Sequence, residues 1–136
     1  MVLVDTCIWS LALRRSGDVP AWERRELEQL IRESRVRIVG AVRQELLSGV
    51  RAARHFETLR GHLLAFEDVQ LETTDYETAA RYFNICRAKG IQGSNTDFLL
   101  CAVAARRDMS IFTVDNDFVQ FARYLPVILH SGDGSR

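Results

Sequence analysis

The feature that most constrains this chain is an alternation. Short apolar runs, each bounded by polar or turn-forming residues, are separated by longer stretches of helical periodicity. Val2-Leu3-Val4 reads as a buried strand ending at Asp5, with Thr6 capping a helix through Leu13. Pro20 to Ser34 reads as a helix, with Trp22, Leu27, Leu30 and Ile31 at helical spacing. Arg37-Ile38-Val39-Gly40 is a second strand, Val42–Leu47 a short helix, and Ala52–Ala65 another. Val69-Gln70-Leu71 is a short third strand. A long helix from Thr74 or Asp75 stops at Lys89-Gly90, and Ser94 or Asn95 caps the next, which holds Phe98, Leu99, Ala102 and Val103. Ser110–Val114 is a fourth strand ending at Asp115, residues 116–124 a short helix, and Pro126–Leu129 a last strand.

Strands separated by helices call for right-handed crossovers and a parallel sheet covered on both faces. The expected fold is a three-layer α/β/α domain with a four- or five-stranded, mostly parallel sheet. The chain has 136 residues, enough for one domain that buries roughly two-thirds of its unfolded surface. The expected domain spans residues 1–130, and Ser131–Arg136 reads as a flexible tail.

In open parallel sheets ligands bind beyond the carboxyl ends of the strands. That rule selects Asp5 and Asp115, each ending an apolar strand. Glu45 follows the second strand closely enough to lie at the same edge, and Asp97 opens an otherwise apolar helix. Taken singly, each acid is ordinary: a turn residue, a solvated helix residue, or a carboxylate at a positive helix end. Together they would repel, by about 4 kcal/mol for a pair at roughly 4 Å and an effective dielectric near 20. Hard divalent cations neutralise such sets, and all-oxygen donors favour magnesium or manganese.

The blocks that carry these acids resemble a known family. Val2-Leu3-Val4-Asp5-Thr6-Cys7-Ile8-Trp9 is similar to the opening of PIN-domain proteins, in particular the VapC toxins of toxin–antitoxin pairs. Glu45-Leu46-Leu47-Ser48-Gly49, Asp97 before Phe98-Leu99-Leu100-Cys101-Ala102, and Ile111 to Phe118 resemble the second, third and fourth acidic blocks, in order. The resemblance covers about residues 1–130 and implies a metal-dependent endoribonuclease restrained by a VapB-like antitoxin. It implies Asp5, Glu45, Asp97 and Asp115 as catalytic positions. Asp5, Asp97 and Asp115 would hold Mg2+ or Mn2+, with Glu45 and Asp117 as further ligand positions. Thr6, Thr113, Ser94 and Asn95 stand where they can orient the carboxylates. Cys7 departs from the serine expected there. A nucleophilic Cys7 lacks an evident activator, since the nearest histidine in sequence is His55.

Composition sets the partners. Eighteen basic residues balance eighteen acids, so the chain does not coat nucleic acid by charge alone. The balance is uneven along the chain: residues 14–54 hold ten arginines against six acids. Arg14, Arg15, Arg43, Arg51 and Arg54 are therefore candidates for contacts with an RNA substrate. Trp9, Leu11, Leu13, Trp22 and Leu30 offer apolar surface beyond a small core, where the family binds its antitoxin and a second toxin copy, a homodimer. Leu30 and Ile31 also read as ordinary core. His55, His62 and His130 have no metal spacing, and Cys7, Cys86 and Cys101 form no C-x-x-C pair. Reduced thiols, no signal peptide and no membrane-length apolar run place the expected protein in the cytoplasm.

Two other readings stay open. One is a magnesium-dependent phosphatase or phosphotransfer domain with Asp5 as nucleophile. That chemistry normally wants a second Asp where Cys7 stands and a nearby lysine, and Lys89 is the only one. The other is a catalytically silent PIN-fold binding module.

Overall fold

The computed structural model describes residues 1–13 and 21–132. A parallel sheet runs through its middle in the order β2 (Val36–Arg37), β1 (Val2–Val4), β3 (Ser110–Phe112). Val2 pairs with Val36 on one side and Ser110 on the other, and Val4 pairs with Phe112. Successive strand residues point to opposite faces. Val2, Leu3 and Val4 are all buried, so both faces of the sheet are covered. This is the expected α/β layering.

The two outer strands of the expected sheet are shorter than predicted. Ile38 bridges Asp68 and Ile111 bridges Leu129, both in parallel, and neither contact grows into a ladder. The physical reasons are local. Asp68 is exposed, and its carboxylate is held by Arg43. On the other edge Pro126 has no N–H to donate, and Ile128 is exposed. The sheet among the described residues is thus three strands flanked by two single-bridge lanes.

The helices are α1 (Thr6–Leu13), α2 (Ala21–Arg32), α3 (Gly40–Leu47), α4 (Ala53–Leu63), α5 (Thr73–Ala88), α6 (Asn95–Arg106) and α7 (Asp117–Ala122). Each lies within a few residues of its expected span. α3 begins two residues early, at Gly40, because the β2 ladder ends at Arg37.

α6 organises the site. Every residue from Phe98 to Ala104 is buried, so this helix has no solvent face along that stretch. Its C-terminal end is clamped: Arg107 forms a bidentate pair with the fully buried Asp75 of α5, at 2.6 and 2.9 Å, and Arg106 reaches the same carboxylate. Its N-terminal end is set by Gly93. A Cβ there would lie 2.5 Å from the Phe121 ring, closer than any side chain tolerates. Phe121 in turn packs on Phe98 (4.8 Å between centroids) and Phe118 (5.1 Å), which seats α7 against the same core. α5 stops at Gly90, whose φ of +75° is the left-handed turn a glycine takes freely.

Several apolar expectations resolve differently. Trp9 and Leu30 are core residues, with Trp9 edge-on to Phe66 at 5.0 Å. Leu11, Leu13 and Trp22 are half-buried, and Ile31 is exposed rather than in the core. Within the expected tail, Ser131 is exposed while Gly132 is buried against the Glu26 carboxylate. Residues 133–136 lie outside the described residues. Among the described residues, no helix is long and apolar enough to cross a membrane.

Candidate active site

Asp5 sits at the carboxyl end of the central strand, and its backbone N–H donates to Phe112 O at 2.9 Å. The residue is 6% exposed. Three donors converge on its carboxylate. The Thr6 N–H reaches Oδ1 at 2.8 Å, while the Thr113 hydroxyl (2.8 Å) and the Cys7 thiol (3.4 Å) reach Oδ2. A carboxylate has about four acceptor positions, so roughly one is left for another partner. Burial raises the Asp5 pKa above the ordinary carboxylate range. The three hydrogen bonds work against that rise, and the charge of Asp115 adds to it.

Thr6 also connects Asp5 to the next acid. Its hydroxyl donates to Glu45 Oε1 at 2.7 Å, tying α1 to the exposed Glu45 on α3. Thr113 does the same on the other side: its Oγ1 accepts the Asp115 N–H at 3.0 Å. Asp115 Oδ1 then accepts the N–H of Asp117, the first residue of α7, at 2.9 Å.

Asp97 closes the set. It forms a reciprocal box with Ser94, whose Oγ accepts the Asp97 N–H while Asp97 Oδ2 accepts the Ser94 N–H, each at 3.0 Å. Burial raises its pKa first, and the charges of Asp5 and Asp115 raise it further. Asp97 therefore feels the charges of Asp5 and Asp115, although each comes from a different element.

The fit to a cation can be judged from these contacts. The hydrogen bonds from backbone N–H groups use one oxygen of each acid, leaving Asp97 Oδ1 and Asp115 Oδ2 outside them. The donors are all oxygens and their mutual repulsion is uncompensated, which suits a hard divalent ion. Among the described residues, no three acidic, histidine or cysteine side chains stand close enough together to form a closed metal cluster. The acids thus share a field without converging on a single point.

The remaining sequence expectations divide. Thr6, Thr113 and Ser94 each hold an acid. Asn95 touches none of them and lines a groove between α5 and α6 instead. Asp117 is exposed, and its backbone, not its carboxylate, contacts Asp115. Arg43 is not available to a phosphate: its guanidinium donates to Asp68 Oδ1 (2.9 Å), Leu63 O (2.9 Å) and Phe66 O, latching α3 to the end of α4. Arg51 and Arg54 are exposed, and Arg14 and Arg15 lie outside the described residues. His55 and His62 are exposed, while His130 pairs with Glu26 and packs edge-on to Phe112. The Cys7 thiol is pushed up by burial, the reverse of what a nucleophile needs. Its contact with Asp5 was not read from the sequence, although its position two residues after a strand-end acid was the available signal.

A family model described as PIN domain matches residues 2–124. The chain belongs to the PIN-domain family. Two solved structures share this PIN fold. FitAcB from Neisseria gonorrhoeae aligns with a TM-score of 0.76 and 18% identity, over 96% of this chain and 97% of that one. VapBC2 from Rickettsia felis, bound to a DNA fragment from its promoter, aligns with a TM-score of 0.76 and 20% identity, over 98% of this chain and all of that one. No curated protein matches this PIN-domain chain in sequence.

Proposed function

We propose that this PIN-domain chain is the toxin of a VapBC-type toxin–antitoxin pair: an endoribonuclease, dependent on Mg2+ or Mn2+, that hydrolyses RNA phosphodiester bonds. The observation that carries this reading is geometric: Thr113 holds both the Asp5 carboxylate and the Asp115 backbone, and Thr6 joins Asp5 to Glu45, at the carboxyl end of the central strand. One buried acid, two half-buried ones and an exposed glutamate at the carboxyl edge of the sheet make a setting that favours a cation.

Asp5, Asp97 and Asp115 would hold the ion, with Glu45 and Asp117 as further ligand positions. A bound divalent ion lowers the pKa of its water and polarises a phosphate oxygen. The chain's own residues do the rest. Thr113 and Cys7 fix the rotamer of Asp5, and the Ser94 box fixes Asp97. Glu45, exposed and held by the Thr6 hydroxyl, completes the acid set as a ligand or as acceptor of the proton lost by the attacking water. Hydrolysis by water leaves 5′-phosphate and 3′-hydroxyl ends and does not use the RNA 2′-hydroxyl as nucleophile. Arg51 and Arg54, both exposed, remain candidates to meet a phosphate backbone.

The antitoxin and a second toxin copy come with the same reading. A groove of about 210 Å3 between α1, α2 and α4 is lined by Trp9, Leu13, Leu27, Ile31, Leu63 and Phe66. It offers the apolar seat an amphipathic antitoxin segment needs. A phosphotransfer domain is less well supported. Cys7 occupies the position its second Asp would need, and Lys89 lies over the Tyr124 ring at 5.7 Å.

The test is cleavage of total cellular RNA by the purified chain, with and without EDTA. The reading predicts discrete fragments in magnesium and none in EDTA. Equal cleavage under both conditions would refute metal dependence.

A further inference from the structure

A groove of about 500 Å3 runs along α5 and opens beside the acidic centre. That volume is typical of a site for a small organic ligand. Its near end is formed by Asn84 and Asn95, and Asn95 lies two residues before Asp97. Its side wall includes Ala41 of α3, one helical turn before Glu45 and on the same face. Tyr76 forms the far end, eight residues and roughly 12 Å along α5 from Asn84.

The lining chemistry is specific. None of the lining residues is charged, so the floor does not attract a phosphate. It combines aromatic rings with two side-chain carboxamides. Tyr76 is 55% exposed. Phe83 is held edge-on to Phe98 at 5.5 Å, with the Arg87 guanidinium over its ring at 5.9 Å. Among the described residues neither carboxamide has a hydrogen-bonded partner, so both are available to a ligand. Flat apolar surface plus free amide donors and acceptors is what an unstacked nucleobase requires. Arg87, exposed and with its guanidinium over the Phe83 ring, puts a cation at the edge of the groove where the attached backbone would run.

We propose that this groove is a base-binding subsite that holds a nucleotide flanking the scissile phosphate, with Tyr76 and Phe83 as stacking residues and Asn84 and Asn95 reading the base edge. The subsite rests on the ribonuclease reading above and gives that enzyme a source of sequence preference distinct from its acids.

The test uses single-stranded RNAs carrying 4-thiouridine at successive positions, irradiated with the intact chain in EDTA. Cross-links mapping to the peptide holding Tyr76 and Phe83, from one nucleotide position, are expected. In magnesium, Tyr76→Ala and Asn84→Ala should each raise KM about tenfold and flatten the base preference at that position, leaving kcat unchanged. Both side chains are exposed, so folding is not at stake. Cross-links elsewhere, with KM and preference unchanged in both variants, would overturn the proposal. So would a shift of Tyr76→Ala from dimer to monomer with base preference intact, which would make the face a contact between copies. Cross-linking at Tyr76 by a chain that cleaves no RNA would leave the subsite standing and sink the ribonuclease reading instead.

Discussion

The Thr113 hydroxyl stands 2.8 Å from Asp5 Oδ2 while its oxygen accepts the Asp115 N–H at 3.0 Å. One side chain at the end of β3 thus fixes both the central-strand acid and the loop that presents its neighbour. Thr113→Val keeps the shape and removes both hydrogen bonds. RNA cleavage and metal affinity should fall about 10- to 100-fold, the usual cost of removing a group that orients a metal ligand. Thr113→Ser should restore most of the loss. Steady-state cleavage at several magnesium concentrations checks both.

Cys7 donates to the other side of the same oxygen, and a hydroxyl can take over that role. Cys7→Ser is therefore expected to retain cleavage, and the half-buried thiol should react slowly with iodoacetamide near neutral pH. Loss of cleavage in Cys7→Ser as deep as that of Asp5→Asn would revive a nucleophilic cysteine.

Asp97 carries a charge that burial and two neighbouring acids disfavour, while its oxygen caps α6. Asparagine can keep the cap and drop the charge. Asp97→Asn should therefore melt a few degrees above wild type in EDTA, about 3 to 6 °C per kcal/mol recovered at this size. Magnesium should raise the wild-type melting temperature and do little for the variant. Calorimetry with and without metal reads both effects, and equal magnesium stabilisation of the two proteins would argue against Asp97 as a ligand.

Asp75 behaves in the opposite way. Arg107 and Arg106 hold its carboxyl well below the ordinary value. A depressed acid contributes stability that is complete above its unfolded pKa, ordinarily 3.8, and is lost as pH falls toward the folded one. Asp75→Ala should cost about 3 to 5 kcal/mol at neutral pH by leaving the arginines unpaired. The gap in melting temperature between wild type and Asp75→Asn should narrow below about pH 4. A gap independent of pH would remove the ion pair as its cause.

Three of the acids carry a local signal, since Asp5 and Asp115 end apolar runs and Asp97 opens one, whereas Glu45 is marked only by its closeness to the second strand. The elements themselves were legible for the same reason, since Val2–Val4 and Phe98–Val103 are buried and patterned accordingly. What was hidden depends on contacts distant in sequence. Arg43 resembles any exposed helical arginine until α4 turns back and offers it Leu63 O and Phe66 O. Thr74 or Asp75 read as the cap of α5, but the N-cap is Glu72, Asp75 reaches back to its N–H from the first turn, and the arginine partners of Asp75 lie more than thirty residues away. The groove from Tyr76 to Asn95 exists only because α5 and α6 pack antiparallel, and neither helix announces it alone. The short outer strands were overestimated because apolar content at Val69 and Val127 does not reveal where the ladder loses its partner.

The most direct test of the acidic centre is RNA-end mapping after incubation with wild type and with Asp5→Asn. Asparagine is nearly isosteric, although its amide cannot accept from all three of the donors that hold Asp5. Circular dichroism should first confirm that the variant is folded. The account predicts magnesium-dependent cuts bearing 5′-phosphate and 3′-hydroxyl ends for wild type, and no cuts above background for the folded variant. Undiminished cleavage by Asp5→Asn, or 2′,3′-cyclic phosphate ends from the wild type, would contradict it.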